Sequence, residues 1–95
     1  MLHILFNSPY NCDFSTFLRM LSSDDEILLL QDGVIAALEG SRKLNSLQKS
    51  SVNIFVLKDD VMARGLLSKI SSSIVLVSYD EFVKLTVHHV NLISW

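Results

Sequence analysis

The sequence predicts an α/β domain in three layers, α/β/α, around a four- to five-stranded, mainly parallel sheet. Three observations carry this. Four short runs of Ile, Val, Leu and Phe recur along the 95 residues with little polar alternation, the pattern of strands covered on both faces. Between them lie segments with helical spacing of apolar residues, long enough for crossovers to a parallel neighbour. No stretch has the composition of a linker, so residues 1–95 read as a single domain.

The elements follow in order. Leu2–Phe6 is the first strand, closed by Asn7, Ser8 and Pro9. Phe14, Phe17, Leu18 and Leu21 then fall at i, i+3, i+4 and i+7, which gathers them on one helical face. Asp13 precedes them as an N-cap. Ile27–Gln31 is the second strand; Asp32-Gly33 reads as a turn, and Val34–Leu38 as the start of a helix. The polar stretch Gly40–Ser51 holds a loop and a short helix around Leu44–Gln48. Val52–Leu57 is the third strand. Asp59 is placed to cap a short helix, with Gly65 as the left-handed residue beyond its end. Ile74–Ser78 is the fourth strand, and Ser78-Tyr79-Asp80-Glu81 reads as a capping box. Tyr79, Phe82, Val83 and Thr86 share a face of the helix that follows, and His88-His89 lie near its C-terminal end. Leu92–Trp95 can add a fifth strand. Nothing in the spacing sets the strand order.

Composition narrows the function. The chain is 49% hydrophobic and 19% charged, with a mean hydropathy of +0.39, which excludes disorder. The longest uninterrupted apolar run is Val34–Leu38, far short of the roughly 20 residues of a bilayer crossing. A surplus of apolar side chains without a membrane span points to a partner. Leu2–Phe6 has no basic residues before it and does not read as a signal peptide. Cys12 is the single cysteine, so no internal disulfide forms; the chain reads as cytoplasmic. Net charge is −2, and residues 1–48 carry six acidic against three basic side chains. No basic stripe exists for direct nucleic-acid binding.

In open α/β sheets ligands gather beyond the C-terminal strand ends, which here hold Asn7–Asp13, Gln31–Gly33, Lys58–Asp60 and Ser78–Glu81. Gly33, Gly40 and Gly65 lack the spacing of a phosphate loop, so no cofactor is expected. A phosphoacceptor layout fails as well, since Asp13 stands too far down its loop. Cys12, just before the first helix, is either a half-buried loop residue or a nucleophile whose thiolate the helix N-terminal amides favour and the neighbouring Asp13 opposes. Adjacent His88 and His89 point about 100° apart on a helix and do not grip one metal ion. They read as imidazoles near the carbonyl end of that helix. Asp32, Gly33, Arg64 and Gly65 are candidates for lining the crevice or an interface. Trp95 docks either onto its own core or onto another subunit.

As a set, further residues resemble the DsrH family of sulfur relay subunits. They are Met1-Leu2-His3, Ser8-Pro9, Leu28–Val34, Ala36-Ala37, Ala63–Leu66, Tyr79, Phe82-Val83, Leu85–Val87 and Trp95, and they span the chain. The resemblance implies a small α/β subunit that assembles with two sister subunits, TusC and TusD, as a dimer of heterotrimers. It implies a relay that receives persulfide sulfur through TusA and passes it on through TusE, toward 2-thiolation of the tRNA wobble uridine. The sulfur-carrying cysteine of such a complex belongs to TusD, which casts this chain as a non-catalytic partner subunit. The alternatives are direct persulfide carriage by Cys12, or the equivalent place in a sulfur-oxidation complex of the DsrEFH type.

Overall fold

Five strands line up in parallel in the computed structural model, which describes residues 1–95. They are β1 (Leu2–Leu5), β2 (Glu26–Leu29), β3 (Asn53–Leu57), β4 (Val75–Val77) and β5 (Leu92–Ser94), in the order β4-β3-β2-β1-β5. The helices are α1 (Phe14–Arg19), α2 (Arg42–Gln48), α3 (Lys58–Ala63) and α4 (Tyr79–His88), with 3₁₀ segments at Gln31–Ala37 and Leu67–Lys69. None is long and apolar enough to cross a membrane.

The strand order fixes where the helices go. The first three crossovers each step one strand in the same direction, whereas the fourth returns from β4 across the sheet to pair β5 with β1. Parallel crossovers are right-handed, so reversing the step puts the connecting helix on the opposite face. Side chains divide accordingly. Leu5, Ile27, Leu29, Ile54 and Val56 pack with Phe14, Phe17, Val34, Leu44, Leu47 and Val61 on one face. Leu2, Ile4, Leu28, Leu57 and Val77 pack on the other, where Phe82 and Leu85 of α4 close over them. Three crossovers cover one face; α4 alone serves the second.

Several local expectations hold in detail. Asp13 caps α1 by accepting from the Thr16 N–H at 3.2 Å. Ser78 and Glu81 form the reciprocal capping box of α4. Arg64 closes α3, and Gly65 follows it with φ +65°.

Others are corrected. Asp32-Gly33 is not a turn ahead of an α-helix: the chain enters the 3₁₀ segment directly at Gln31. Gly33 is required by close approach rather than by φ, since a Cβ there would stand 2.0 Å from the Leu5 carbonyl oxygen. Asp59 does not cap α3. Leu57 holds that position without a side-chain bond, and Asp59 and Asp60 lie in the first turn, where their charge suits the helix dipole. The fourth strand is not buried on both faces either. It is a sheet edge, with Val75 50% and Leu76 38% exposed.

Candidate functional site

At the C-terminal strand ends the structure joins two of the residues singled out there. The Arg64 guanidinium donates from Nε and Nη2 to Asp32 Oδ1, at 3.2 and 3.1 Å. Its Nη1 donates to the Asp60 carbonyl at 3.2 Å. The Asp60 carboxylate accepts from the Gln31 N–H at 2.7 Å, steadying a non-glycine residue at φ +50°. The result ties the 3₁₀ segment to α3. Gly33 is buried against the Leu5 backbone, whereas Gly65, the residue after Arg64, has open space around it. The Asp32 and Arg64 side chains are 64% and 30% exposed. Arg64→Ala is therefore expected to cost under about 1 kcal/mol in urea unfolding, and a larger loss would mean that the tie positions more than a surface pair.

Cys12 is a free, half-buried thiol in the loop between β1 and α1, packed against the larger core cluster. Burial raises its pKa; Lys43 opposes this and Asp13 adds to it. The surroundings therefore favour the thiol over the thiolate that nucleophilic or sulfur-accepting chemistry uses. No histidine forms a hydrogen bond with it.

Two histidines, His3 and His89, are engaged at the opposite end of the sheet. His3, 1% exposed within β1, shares a hydrogen bond with Asp25 Oδ2 at 2.8 Å and accepts at Nδ1 from Trp95 Nε1–H at 3.3 Å. An indole N–H only donates, so the ring proton sits on Nε2 and is donated to Asp25. The same carboxylate accepts the Ser22 N–H at 3.0 Å and pairs with the Met1 amine at 3.2 Å. Burial works against its ionisation, but the bonds from Ser22, His3 and the amine prevail and hold its pKa at about 2. One residue along, Glu26 Oε1 lies 2.7 Å from His89 Nε2, and Oε2 accepts from Asn53 at 3.2 Å. Burial opposes these bonds too, yet the Glu26 pKa is lowered. His89 thus serves a side-chain pair rather than the carbonyl end of its helix.

This His3–Asp25 pair was not among the residues the sequence marked out. Its only signal is a polar ring inside an apolar strand together with two acids just before the next strand. Trp95 turns inward: its ring meets Phe17 edge-on at 5.4 Å and stacks with His3 at 6.4 Å, both between centroids. Of its two expected destinations, its own core is the one it takes.

Fold and sites together define a small all-parallel α/β domain with a half-buried thiol and a structural histidine–carboxylate network. A family model described as "DsrH like protein" matches residues 7–92. Protein TusB of Erwinia tasmaniensis is 50% identical over all 95 residues, covering both chains completely. Protein TusB of Escherichia coli K12 is 48% identical with the same coverage. Among solved structures, the ychN protein from E. coli superposes with a TM-score of 0.74 at 18% identity, covering 99% of this chain and 97% of its own. Protein Tm0979 from Thermotoga maritima gives 0.68 at 27% identity, covering 94% of each chain. The chain belongs to the DsrH family, and is a sulfur relay-related protein.

Proposed function

We propose that the chain is a non-catalytic subunit of a cytoplasmic sulfur-transfer complex, assembled with sister subunits of the TusC and TusD type. In this reading the complex takes sulfur from TusA, hands it to TusE, and serves 2-thiolation of the tRNA wobble uridine. Its likeness to proteins named TusB, at about half identity over the full length, supports that placement over the sulfur-oxidation branch.

One observation carries the subunit role: one flank of α4 leaves apolar side chains uncovered, beside the exposed Asp80, Glu81, Lys84 and His88. Tyr79, Val83 and Val87 are 60%, 41% and 80% exposed, and Val90 and Leu92 beyond the helix are 96% and 48% exposed. On the opposite flank, a separate groove of about 410 Å³ between α4 and the β4 edge exposes Phe55, Val75, Val77 and Leu85 among Glu81, Lys84 and His88. Uncovered apolar side chains gathered on a helix flank mark an interaction site, and a sister subunit is the occupant proposed.

Co-expression with the two sisters followed by size measurement tests this. A single stoichiometric species is expected, and a monodisperse monomer indifferent to both sisters would overturn the reading. Val83→Glu with Val87→Glu should leave the melting temperature nearly unchanged, since both side chains already face water, and should remove the chain from the complex. The competing role has the Cys12 thiolate attack the terminal sulfur of a donor persulfide, forming a new S–S bond as the donor thiolate leaves. Cys12→Ser is expected to leave tRNA thiolation in cells unchanged, because the surroundings of Cys12 disfavour its thiolate. Loss of thiolation with an intact complex would establish the carrier role instead.

A further inference from the structure

A second surface lies on the other side of the sheet from α4. Between α1 and α2 runs a groove of about 500 Å³, walled by Tyr10, Phe14 and Leu18 on one side and by Arg42 and Lys43 on the other. The Lys43 ammonium stands 5.2 Å from the Tyr10 ring centre and 5.0 Å from that of Phe14. Neither Arg42 nor Lys43 is paired with a carboxylate; the four ion pairs of the chain lie elsewhere. The hydroxyls nearby are already committed, Ser15 to Asp13 and Ser46 to the Arg42 carbonyl. Two unpaired cations therefore border a partly apolar trough in a chain whose net charge is −2.

We propose that this groove docks an acidic segment of a partner protein, with carboxylates on Arg42 and Lys43 and an apolar side chain against Phe14 and Leu18. Charge complementarity selects the occupant, and the aromatic wall favours a ligand that carries apolar groups beside its charges. Lys43, held over two rings, has part of its ordering already in place before binding. A nucleic acid fits less well. Two cations neutralise too few phosphates for strong binding. The Asp13 carboxylate, kept ionised by its bonds from Thr16 and Ser15, stands 3.1 Å from the Ser15 hydroxyl on the α1 wall, so the segment's carboxylates seat on the α2 wall beside Arg42 and Lys43. A second copy fits less well again, because in the acidic run Asp24–Glu26 two of the three carboxylates are held internally, Asp25 by His3 and Glu26 by His89.

The test uses the full chain and a fluorescein-labelled, amidated peptide alternating leucine and glutamate, followed by anisotropy. Binding is expected, weakened about tenfold in Arg42→Gln/Lys43→Gln and unchanged in Lys84→Gln, on α4 at the other face of the sheet. The peptide with glutamine for glutamate should bind as weakly as the double variant allows. No binding, or equal affinity for the glutamine peptide, would overturn the proposal. So would tighter binding of a single-stranded oligonucleotide, or competition by unlabelled chain. The groove is independent of the α4 surface: Val83→Glu/Val87→Glu should leave peptide binding intact, so failure of one reading is separable from failure of the other.

Discussion

Gly33→Ala is expected to destabilise the domain by about 3 kcal/mol and to lower its melting temperature by roughly 15 °C. A Cβ at this position would lie 2.0 Å from the Leu5 carbonyl oxygen and 2.8 Å from the Leu5 carbonyl carbon. Both are backbone atoms of β1, so no rotamer change relieves the clash. The Gly33 N–H also bridges two strand ends, donating to Leu30 O at 2.8 Å and Phe6 O at 3.2 Å. Moving the segment away would therefore break the link between β1 and the 3₁₀ segment as well as the packing of Val34, Ala36 and Ala37. Gly65→Ala is the contrasting case. A Cβ there meets nothing within 4 Å, and only the φ of +65° opposes it, for an expected loss of about 1 kcal/mol. Urea unfolding of both variants checks the pair. Equal losses would show that the Leu5 backbone gives way to the new Cβ at little cost.

That contrast also shows what the sequence could and could not reveal. Runs such as Ile27–Leu30 and Ile54–Leu57 announce buried parallel strands because burial on both faces removes polar alternation. Asp13 and the Ser78–Glu81 box were legible because capping depends on neighbours three residues away. Gly33 was legible as a special residue but not for the right reason, since its constraint comes from Leu5, a long way off in the chain. The edge position of β4 was hidden for a similar reason: Ile74–Val77 is as apolar as a central strand, and only the strand order leaves Val75 and Leu76 open. Of the candidate site, Asp32 and Arg64 were marked separately, and nothing local links residues so far apart. His3 had even less to distinguish it, because its partners come from the start of β2 and the end of β5.

That network supplies the second large effect. Asp25→Ala is expected to destabilise the domain by about 3 kcal/mol at neutral pH, since it strands the buried His3 Nε2–H without an acceptor. The imidazole is 1% exposed and the Asp25 side chain 10% exposed, so water does not readily replace the lost partner. The sign of the pH dependence follows from Asp25 itself. Its folded pKa of about 2 lies below the ordinary 3.8, so the folded state favours the ionised form. The stabilisation, about 2 kcal/mol, is therefore fully present above pH 3.8 and disappears as pH falls toward 2. Glu26, Asp13 and Glu81 are lowered as well and steepen the acid response of the parent chain. Subtracting the profile of Asp25→Ala from that of the parent isolates the single carboxylate. Denaturant unfolding across the acid range should show the two curves converging as pH falls, because the parent loses what the variant already lacks. Parallel curves would mean that Asp25 is held by packing rather than by charge. Trp95 gives an independent readout: its indole donates to the ring that Asp25 orients, so its fluorescence should change in the variant even where the fold survives.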